Sequence, residues 1–339
     1  SMTALNAEVE LITGNYQDLL DRKAAIKNND PKATAGYQSL IKNADKVLRK
    51  GVLSVTEKKQ TPPSGDKRDY FTLAPYWWPD PKQDDGLPFI RKDGRINPET
   101  RGDHVDYDRK GKFFNHVNTL ALAATLSDRD EYGKGAARLL ETWFVNPKTR
   151  MNPHLNYAQG IPGRNDGRPA GVIEWCGVGS VLNSIQMLRA GEHVSEETGK
   201  ELTKWFESYA GWLQTSEIGK DERNARNNHG TWYDVQLVSI LLFLERADEA
   251  KAILEQVKTN RIATQIEPDG RQPHELTRTK SLSYSKMNLA AFRKLADLGK
   301  KNGVDLWNYE TKDGRSIRKA DEFLKPYVTG KKKWPYQQL

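Results

Sequence analysis

The sequence predicts an all-α protein, an (α/α) toroid or barrel of about six or seven inner–outer helix pairs with one long aromatic loop. Three observations support this fold class. Helical hydrophobic periodicity recurs from end to end, strand patterns are scarce, and apolar helices alternate with amphipathic ones. Residues 235–244 are apolar nearly all round, as in an inner helix, whereas 247–258 form a charged outer helix. We expect one domain over residues 1–339.

The individual helices are predicted from the spacing of apolar residues. The first covers 5–28, and the second covers 34–50 and ends at Gly51, a residue that commonly stops helices. Further helical patterns lie at about 111–127, 131–145, 171–190, 195–215, 230–245, 247–258, 281–300 and 316–328.

Residues 52–110 form the one long stretch without a sustained period. The stretch is rich in Pro, Gly, Asp and aromatic residues, and a loop of this length inside a compact chain is usually functional. Tyr76, Trp77 and Trp78 could stack on sugar rings, which would make the loop a lid or the wall of a substrate cleft. A satellite hydrophobic cluster beneath the loop explains the same aromatics.

Charge and composition restrict the partners. Lys and Arg number 53 against 45 Asp and Glu, a formal charge of +8 that suits a polyanion such as nucleic acid, a membrane surface or an acidic polysaccharide. No basic helix carries interleaved base-stacking aromatics, and no apolar run is long enough to span a membrane, so we expect neither nucleic-acid binding nor a membrane span. The basic run 331–333 is expected to be a solvated tail.

Cysteine and metal-ligand patterns are sparse. Cys176 is the one cysteine of the chain, which excludes an internal disulfide framework and a cysteine-based zinc site. Asp103, His104 and Asp106 could contribute to a metal site, but the sequence places no further ligand beside them in a recognisable motif. We therefore expect no metal.

The segment that enters the apolar helix at 235–244 is the first candidate site. If that helix begins near Gly230, Asn228 and His229 lie at its N-terminus, where free backbone N–H groups favour an anion. Trp232 follows His229 by three residues and continues the same face. Helix capping by asparagine and a core histidine remain an alternative.

Arg278 and Tyr284 form the second candidate site. Tyr284 lies within the first turn of a predicted helix, and Arg278 just precedes it. A neighbouring arginine stabilises phenolate, so we expect the phenol pKa to be lowered from about 10, which would make Tyr284 a usable base. An amphipathic tyrosine beside a surface ion pair is the alternative.

The segment 152–168 offers further polar groups. Tyr157, Gln159 and Arg164 bring hydroxyl, amide and guanidinium donors that suit sugar hydroxyls and carboxylates. Ordinary turn chemistry explains the Gly, Asn and Asp residues around them equally well.

Together these segments resemble the alginate lyase superfamily with the (α/α) toroid fold. The resemblance is greatest to the Bacteroides-type branch, polysaccharide lyase family thirty-eight, which is related to family five, and it covers roughly residues 65–330. Its most specific parts are residues 73–81, 227–234 and 305–310.

The resemblance implies roles for four residues. The Asn-His pair of the family matches Asn228 and His229, its arginine matches Arg278 and its catalytic tyrosine matches Tyr284. The spacing from Arg278 to Tyr284 is one residue shorter here than in the family-five pattern, which weakens the match of the arginine. The residues expected to contact substrate are Tyr76, Trp77, Trp78, Tyr157, Gln159, Arg164 and Trp232.

The implied activity is cleavage of a uronate polymer by β-elimination, which leaves 4,5-unsaturated uronate ends. Alginate is the first expected substrate, with glucuronan or another uronic-acid polymer as the alternative. Tyr284 would remove H5 and protonate O4, while Asn228, His229 and Arg278 would neutralise the substrate carboxylate. No metal or organic cofactor is required.

Two functions of other classes remain open. A glycoside hydrolase on the same toroid would use carboxylates such as Asp103, Asp106 and Glu174 with water. A non-catalytic binder of anionic glycans would use only the basic surface and the aromatic loop. We expect a periplasmic or secreted protein whose export signal is absent from this N-terminus, and the sequence leaves the oligomeric state open.

Overall fold

Helices make up most of the regular structure in a computed structural model of the protein, which describes residues 9–339. The α-helices are α1 (Tyr16–Lys27), α2 (Pro31–Lys50), α3 (Tyr107–Ser127), α4 (Asp130–Leu140), α5 (Val178–Ala190), α6 (Glu196–Thr215), α7 (Glu217–Arg223), α8 (Asn228–Phe243), α9 (Ala247–Val257), α10 (Ala263–Gln265), α11 (Pro273–Leu276), α12 (Ser281–Lys301) and α13 (Ile317–Val328).

Strands are few and short in the described part of the chain. They are β1 (Phe71–Leu73), β2 (Trp77–Trp78), β3 (Ile90–Arg91) and β4 (Tyr157–Gly160). Strand β1 pairs in parallel with β4 and β2 pairs antiparallel with β3. The stretch 52–110 accordingly holds only β1 to β3, the start of α3 and two 3₁₀ turns.

The ends of α2 show how local sequence sets a helix boundary. The Asp30 carboxylate accepts a hydrogen bond from the Ala33 N–H at 2.9 Å, and Pro31 occupies the first turn, where its missing N–H is harmless. Gly51 ends the helix with φ of 72°, a value that glycine adopts without strain. The predicted end at Gly51 is confirmed.

The prediction of a first helix over 5–28 is wrong for residues 9–15. Residues 5–8 lie outside the described part of the chain, and 9–15 are not helical. Helix α1 begins only at Tyr16, because Gly14 adopts a positive φ of 76° and the Asn15 side chain caps the helix by accepting from the Gln17 N–H.

The predicted helix over 171–190 is also interrupted. A 3₁₀ segment, Pro169–Trp175, precedes α5, which begins at Val178. Helix α7 was not predicted because its charged sequence carries no apolar period. Its start is nevertheless well defined, since the Ser216 side chain accepts from the Gly219 N–H at 3.0 Å.

The chain divides into two compact units, of which the first contains residues up to 70, 103–153 and 177–208. Helix α3 packs against α2, α4 and α5 there. The core is aromatic: the Phe113 and Trp143 rings stack with centroids 4.3 Å apart.

The second unit contains residues 71–102, 154–176 and 209–339. Helix α8 packs against α7, α9 and α12, and nearly all its side chains are buried, as expected for a helix that is apolar nearly all round. Every residue expected to contact substrate or to act in catalysis lies in this unit. The single domain over 1–339 stays a prediction.

Candidate active site

The N-terminus of α8 carries the first two candidate residues. The side-chain oxygen of Asn227 accepts a hydrogen bond from the backbone N–H of His229 at 3.1 Å, which caps the helix. The helix therefore begins at Asn228, two residues before the predicted start near Gly230. Asn228 and His229 lie in its first turn, as the sequence indicated.

Asn228 is fully buried against a carboxylate. Its backbone N–H donates to Glu275 Oε1 at 2.7 Å and its side-chain Nδ2 donates to Glu275 Oε2 at 2.9 Å. The side-chain Oδ1 is buried without a hydrogen-bond partner. The N–H groups that were expected to neutralise a substrate carboxylate are thus already directed at Glu275.

Glu275 was not identified as a site residue from the sequence. Burial raises the pKa of Glu275, while hydrogen bonds from Asn228 and the charges of Arg278 and His229 act in the opposite direction. The same carboxylate therefore interacts with three of the four residues matched to the family's catalytic set. Its hydrogen bonds to Asn228 span 47 positions of the chain, a pairing that local sequence patterns do not reveal.

His229 is bound to a second unpredicted carboxylate. Its Nδ1 lies 2.9 Å from Oε2 of Glu222, a buried residue of α7. In the neutral imidazole, a proton on Nδ1 that is donated to Glu222 leaves Nε2 with the lone pair. Glu222 thereby fixes both the ring orientation and the nitrogen that can accept a proton.

Tyr284, Arg278 and Tyr76 form one compact group. The Arg278 guanidinium carbon lies over the Tyr284 ring, 3.9 Å from its centroid, so the two side chains form a cation–π pair. The Tyr284 hydroxyl is hydrogen-bonded to the Tyr76 hydroxyl. Tyr284 therefore contacts both Arg278, its partner in the second candidate site, and Tyr76, which was identified separately in the aromatic loop.

The expected lowering of the Tyr284 pKa is wrong. Burial raises the pKa of Tyr284 well above the usual value, and the hydrogen bond with Tyr76 raises it further, whereas the charge of Arg278 lowers it. The sequence argument considered only the charge of Arg278 because burial is not readable from the two residues. Tyr284 is consequently a protonated phenol at neutral pH.

Arg278 is paired with a third carboxylate, Asp93, which lies in the loop after β3. Arg278 Nη2 lies 2.7 Å from Asp93 Oδ1 and Nε lies 3.1 Å from Oδ2, a bidentate arrangement. Burial alone would raise the pKa of Asp93, but hydrogen bonds from Arg278 and the Thr279 backbone outweigh it and hold that pKa well below the usual value. Two of the five N–H groups of Arg278, one on Nε and one on Nη2, are therefore directed at Asp93.

The aromatic loop forms a hairpin around the β2–β3 pair. Trp77 lies opposite Arg91 and Trp78 opposite Ile90, and both tryptophans are half-buried. Trp78 Nε1 donates to the Arg95 carbonyl at 3.0 Å. The hairpin thus holds the tryptophans in a fixed orientation while part of each indole remains accessible.

Two arginines lie against the Trp77 ring. The guanidinium carbons of Arg164 and Arg168 are 5.2 Å and 5.9 Å from its centroid. Arg164 is exposed and its Nε donates to the Phe89 carbonyl at 2.7 Å. Gln159 is buried and its side-chain oxygen accepts from Arg168 Nη2 at 2.8 Å. Arg164 and Gln159, both predicted, therefore lie near Trp77, and Arg168 joins them.

The other two expected substrate contacts differ in accessibility. Tyr157 is half-buried on β4, with its ring edge-on to His154 at 6.1 Å. Trp232 is only 7% exposed on α8 and offers little surface to a polymer. Its position favours a core role, so we leave Trp232 out of the proposed substrate contacts.

The carboxylates considered for a hydrolase are engaged in structural contacts. Asp106 is fully buried and bound to Lys58 and Arg109 at 3.0 Å, and Asp103 pairs with Lys59. Glu174 accepts a hydrogen bond from Thr72 at 2.7 Å. Among the residues that the structure describes, no group of three or more His, Cys, Asp or Glu side chains is arranged to hold a metal ion.

Comparison with known proteins decides the family. The sequence model of the family described as "Alginate lyase" matches residues 54–334. The chain belongs to the alginate lyase family. No curated protein sequence matches the chain. Across residues 9–339, no helix of this alginate lyase family member has the length and apolar character needed to cross a membrane.

Solved structures of alginate lyases are similar to this chain. An alginate lyase from Bacteroides ovatus is 38% identical with a TM-score of 0.92, and the match covers 97% of this chain and 86% of that one. Alginate lyase A1-III from Sphingomonas species A1 is 19% identical with a TM-score of 0.57, covering 98% and 82%. A histidine-to-alanine variant of A1-III complexed with a tetrasaccharide gives a TM-score of 0.59 at 19% identity, covering 96% and 80%.

These matches confirm the predicted fold class, an all-α (α/α) toroid. They also confirm the resemblance stated from the sequence and establish the chain as an enzyme, a polysaccharide lyase of the alginate lyase family.

Proposed function

We propose that this polysaccharide lyase cleaves alginate by β-elimination and leaves 4,5-unsaturated uronate ends. The observation that carries the proposal is the stacked Tyr284–Arg278 pair with its hydrogen bond to Tyr76, in a chain of the alginate lyase family. The solved proteins compared above are alginate lyases, which supports alginate as the substrate. Because the proposed substrate is a polysaccharide, we also propose that the enzyme is exported and works in the periplasm or outside the cell.

The main role proposed for Tyr284 is that of the general acid. A phenol whose pKa is raised by burial keeps its proton at neutral pH and can donate it to O4 when the C4–O4 bond breaks. The phenolate that remains after donation lies against the Arg278 guanidinium, whose positive charge stabilises it. The Tyr284–Arg278 stack thus serves both states of the tyrosine.

His229 is proposed to act as the base that removes H5. Glu222 holds Nδ1, so Nε2 carries the lone pair in the neutral ring. The proton moves from C5 to Nε2, the C5–H electron pair forms the C4=C5 double bond, and O4 leaves with the Tyr284 proton. The electron pair of the broken C4–O4 bond stays on O4.

Asn228 and Arg278 are proposed to hold the acid and the base in position. Asn228 fixes the first turn of α8 through Glu275, and Arg278 fixes the face of Tyr284 through Asp93. The backbone and side-chain N–H groups of Asn228 are directed at Glu275, and the Nε–Nη2 edge of Arg278 is directed at Asp93, which supports a positioning role. The aromatic hairpin with Tyr76, Trp77 and Trp78 is proposed as the wall of the substrate cleft.

The ultraviolet absorbance of the unsaturated uronate tests the function. The purified protein should generate this absorbance from alginate, because only a lyase creates the C4=C5 double bond. Glucuronan and hyaluronan measured in parallel identify the preferred uronate. Release of new reducing ends without ultraviolet absorbance would instead indicate a hydrolase, and binding without cleavage would indicate a glycan-binding protein.

A further inference from the structure

Arg168 is the feature of the site that the proposed function leaves unused. It lies directly before the 3₁₀ segment Pro169–Trp175 and is half-buried. Within residues 9–339 no carboxylate lies within ion-pair distance of Arg168. Two other buried arginines of the same unit differ, since Arg261 binds Asp234 at 2.8 Å and Arg278 binds Asp93 at 2.7 Å.

The hydrogen bonds of Arg168 leave most of its donors unused. A guanidinium carries five N–H groups. One of those of Arg168, on Nη2, donates a hydrogen bond to Gln159 Oε1 at 2.8 Å. The Nε group is buried without a partner, and Nη1 makes no hydrogen bond to the described protein atoms. Because a half-buried cation with unsatisfied donors is unfavourable alone, an anion would stabilise it.

Gln159 holds the guanidinium with a strained backbone. It has φ of 53°, which is uncommon for a residue other than glycine, and its own N–H donates to Thr72 Oγ1 at 2.8 Å. Backbone strain of this kind persists where the surrounding structure enforces it, often at ligand sites. The conformation directs the Gln159 side chain to Arg168, whose guanidinium carbon lies 5.9 Å from the Trp77 ring centroid.

The electrostatic surroundings connect Arg168 with the candidate active site. Burial lowers the pKa of Arg168, the positive charges of Arg91 and Arg278 lower it further, and the negative charges of Glu222 and Glu174 raise it. Glu222 is the partner of His229, and Arg278 is the partner of Tyr284. Arg168 therefore belongs to the same charged neighbourhood as the proposed acid and base.

Three other polar side chains of that neighbourhood have carboxylate partners in the protein. Asn228 is bound to Glu275, His229 to Glu222 and Arg278 to Asp93. A uronate polymer brings one carboxylate with each sugar, and each needs a compensating donor when it leaves water.

We propose that Arg168 binds a carboxylate of the bound uronate chain, in a subsite formed by Gln159 and the Trp77 ring. The inference rests on the proposed function for its substrate class. Arg168 acts in this account as a specificity-determining residue: it selects charged sugars over neutral ones.

Three variants test the assignment. Arg168→Gln removes the charge, and Arg168→Lys keeps the charge but lacks the planar guanidinium with its two parallel N–H donors. The matched control is Arg246→Gln, which removes a partly exposed arginine that pairs with Glu249. The Michaelis constant for alginate is measured by ultraviolet absorbance. Calorimetry gives the dissociation constants for an oligomannuronate and for the same oligomer with its carboxyl groups reduced to alcohols.

The parent should bind the charged oligomer more tightly than the reduced one. Arg168→Gln should raise the Michaelis constant and the dissociation constant of the charged oligomer by about 10–100-fold while changing that of the reduced oligomer little. Arg168→Lys should fall between the parent and Arg168→Gln, and Arg246→Gln should match the parent.

Two results would overturn the assignment. Unchanged affinity of Arg168→Gln for the charged oligomer would remove Arg168 from the subsite, and an equal loss for both oligomers would indicate a structural role. If Arg168→Gln does not fold, Arg168→Lys decides. Affinity for the charged oligomer and preference over the reduced oligomer that both equal those of the parent would refute a subsite that needs the planar guanidinium. If the parent makes no unsaturated product from any polymer, the proposed function fails, while the two binding measurements still decide the role of Arg168.

Discussion

Three polar side chains of the candidate active site are bound to carboxylates, and each of these carboxylates is buried or half-buried. The pairs are His229 with Glu222, Asn228 with Glu275 and Arg278 with Asp93. Such pairs keep side chains in one orientation, because removing one partner leaves an uncompensated charge or donor inside the protein. The geometry of the site therefore depends on Glu222, Glu275 and Asp93, which do not need to touch the substrate.

The ion pair between Asp93 and Arg278 should stabilise the protein in a pH-dependent way. Asp93→Asn should lower the free energy of unfolding by about 2–3 kcal/mol at pH 7, since it removes the charge from a bidentate pair. The pKa of Asp93 lies below its unfolded value of about 3.9, so its contribution is present above that pH and is lost as the pH falls further. The difference between parent and variant should therefore shrink below about pH 4.

Urea unfolding at a series of pH values measures this difference. Asp269→Asn is a matched control because Asp269 pairs with Arg271 at the exposed surface, where an ion pair contributes little. A destabilisation that stays constant down to pH 3, or one no larger than that of Asp269→Asn, would refute the stabilising role of the Asp93–Arg278 pair.

The aromatic hairpin at β2–β3 is the element on which the substrate wall depends. Trp77 lies in a strand pair and contacts two arginines, so its orientation is set by the hairpin rather than by a core. The sequence left a substrate wall and a satellite hydrophobic cluster open. The half-buried indole with cations against its ring favours the substrate wall.

Trp77→Ala should raise the Michaelis constant for alginate by about tenfold and lower the melting temperature by only a few degrees. The kinetic effect follows from the loss of the ring and from the loosening of Arg164 and Arg168. Trp307→Ala, at an exposed tryptophan outside the site, is the control. A large loss of stability with unchanged kinetics would support the satellite cluster.

Helix periodicity predicted most of the elements, and the failures have physical causes. Helix α8 is recognisable because it is apolar nearly all round, whereas α7 is short and charged, and Gly14 interrupts a pattern that otherwise reads as helix. The candidate residues were located through motifs at the starts of α8 and α12. Their carboxylate partners were missed because they resemble surface charges, and the bond between Arg278 and Asp93 spans 185 positions.

The whole molecule combines a basic charge with a site rich in paired carboxylates. A formal charge of +8 attracts a polyanion over long distances, while the specificity depends on a few side chains. The raised pKa of Tyr284 changes the mechanism expected from the sequence, because a protonated tyrosine suits the acid role better than the base role. Burial in the folded protein decides that direction.

Alginate contains two sugars that differ in stereochemistry, which separates the roles of His229 and Tyr284. H5 and O4 lie on the same face in β-mannuronate and on opposite faces in α-guluronate, so guluronate requires two separate groups. If the enzyme accepts both, His229→Ala should impair guluronate cleavage more than mannuronate cleavage in single-turnover assays, because in mannuronate Tyr284 lies on the face of H5 and can replace the missing base. Tyr284→Phe should impair both. A guluronate rate of His229→Ala within about tenfold of the parent would contradict the base role.

The central claim, proton donation by Tyr284, is tested most directly by Tyr284→Phe. The change removes one hydroxyl without opening a cavity, so the melting temperature should stay near that of the parent. Ultraviolet absorbance under single-turnover conditions should show a rate on alginate that is lower by about a thousandfold, as expected for the loss of a general acid. A rate within about tenfold of the parent would contradict the account.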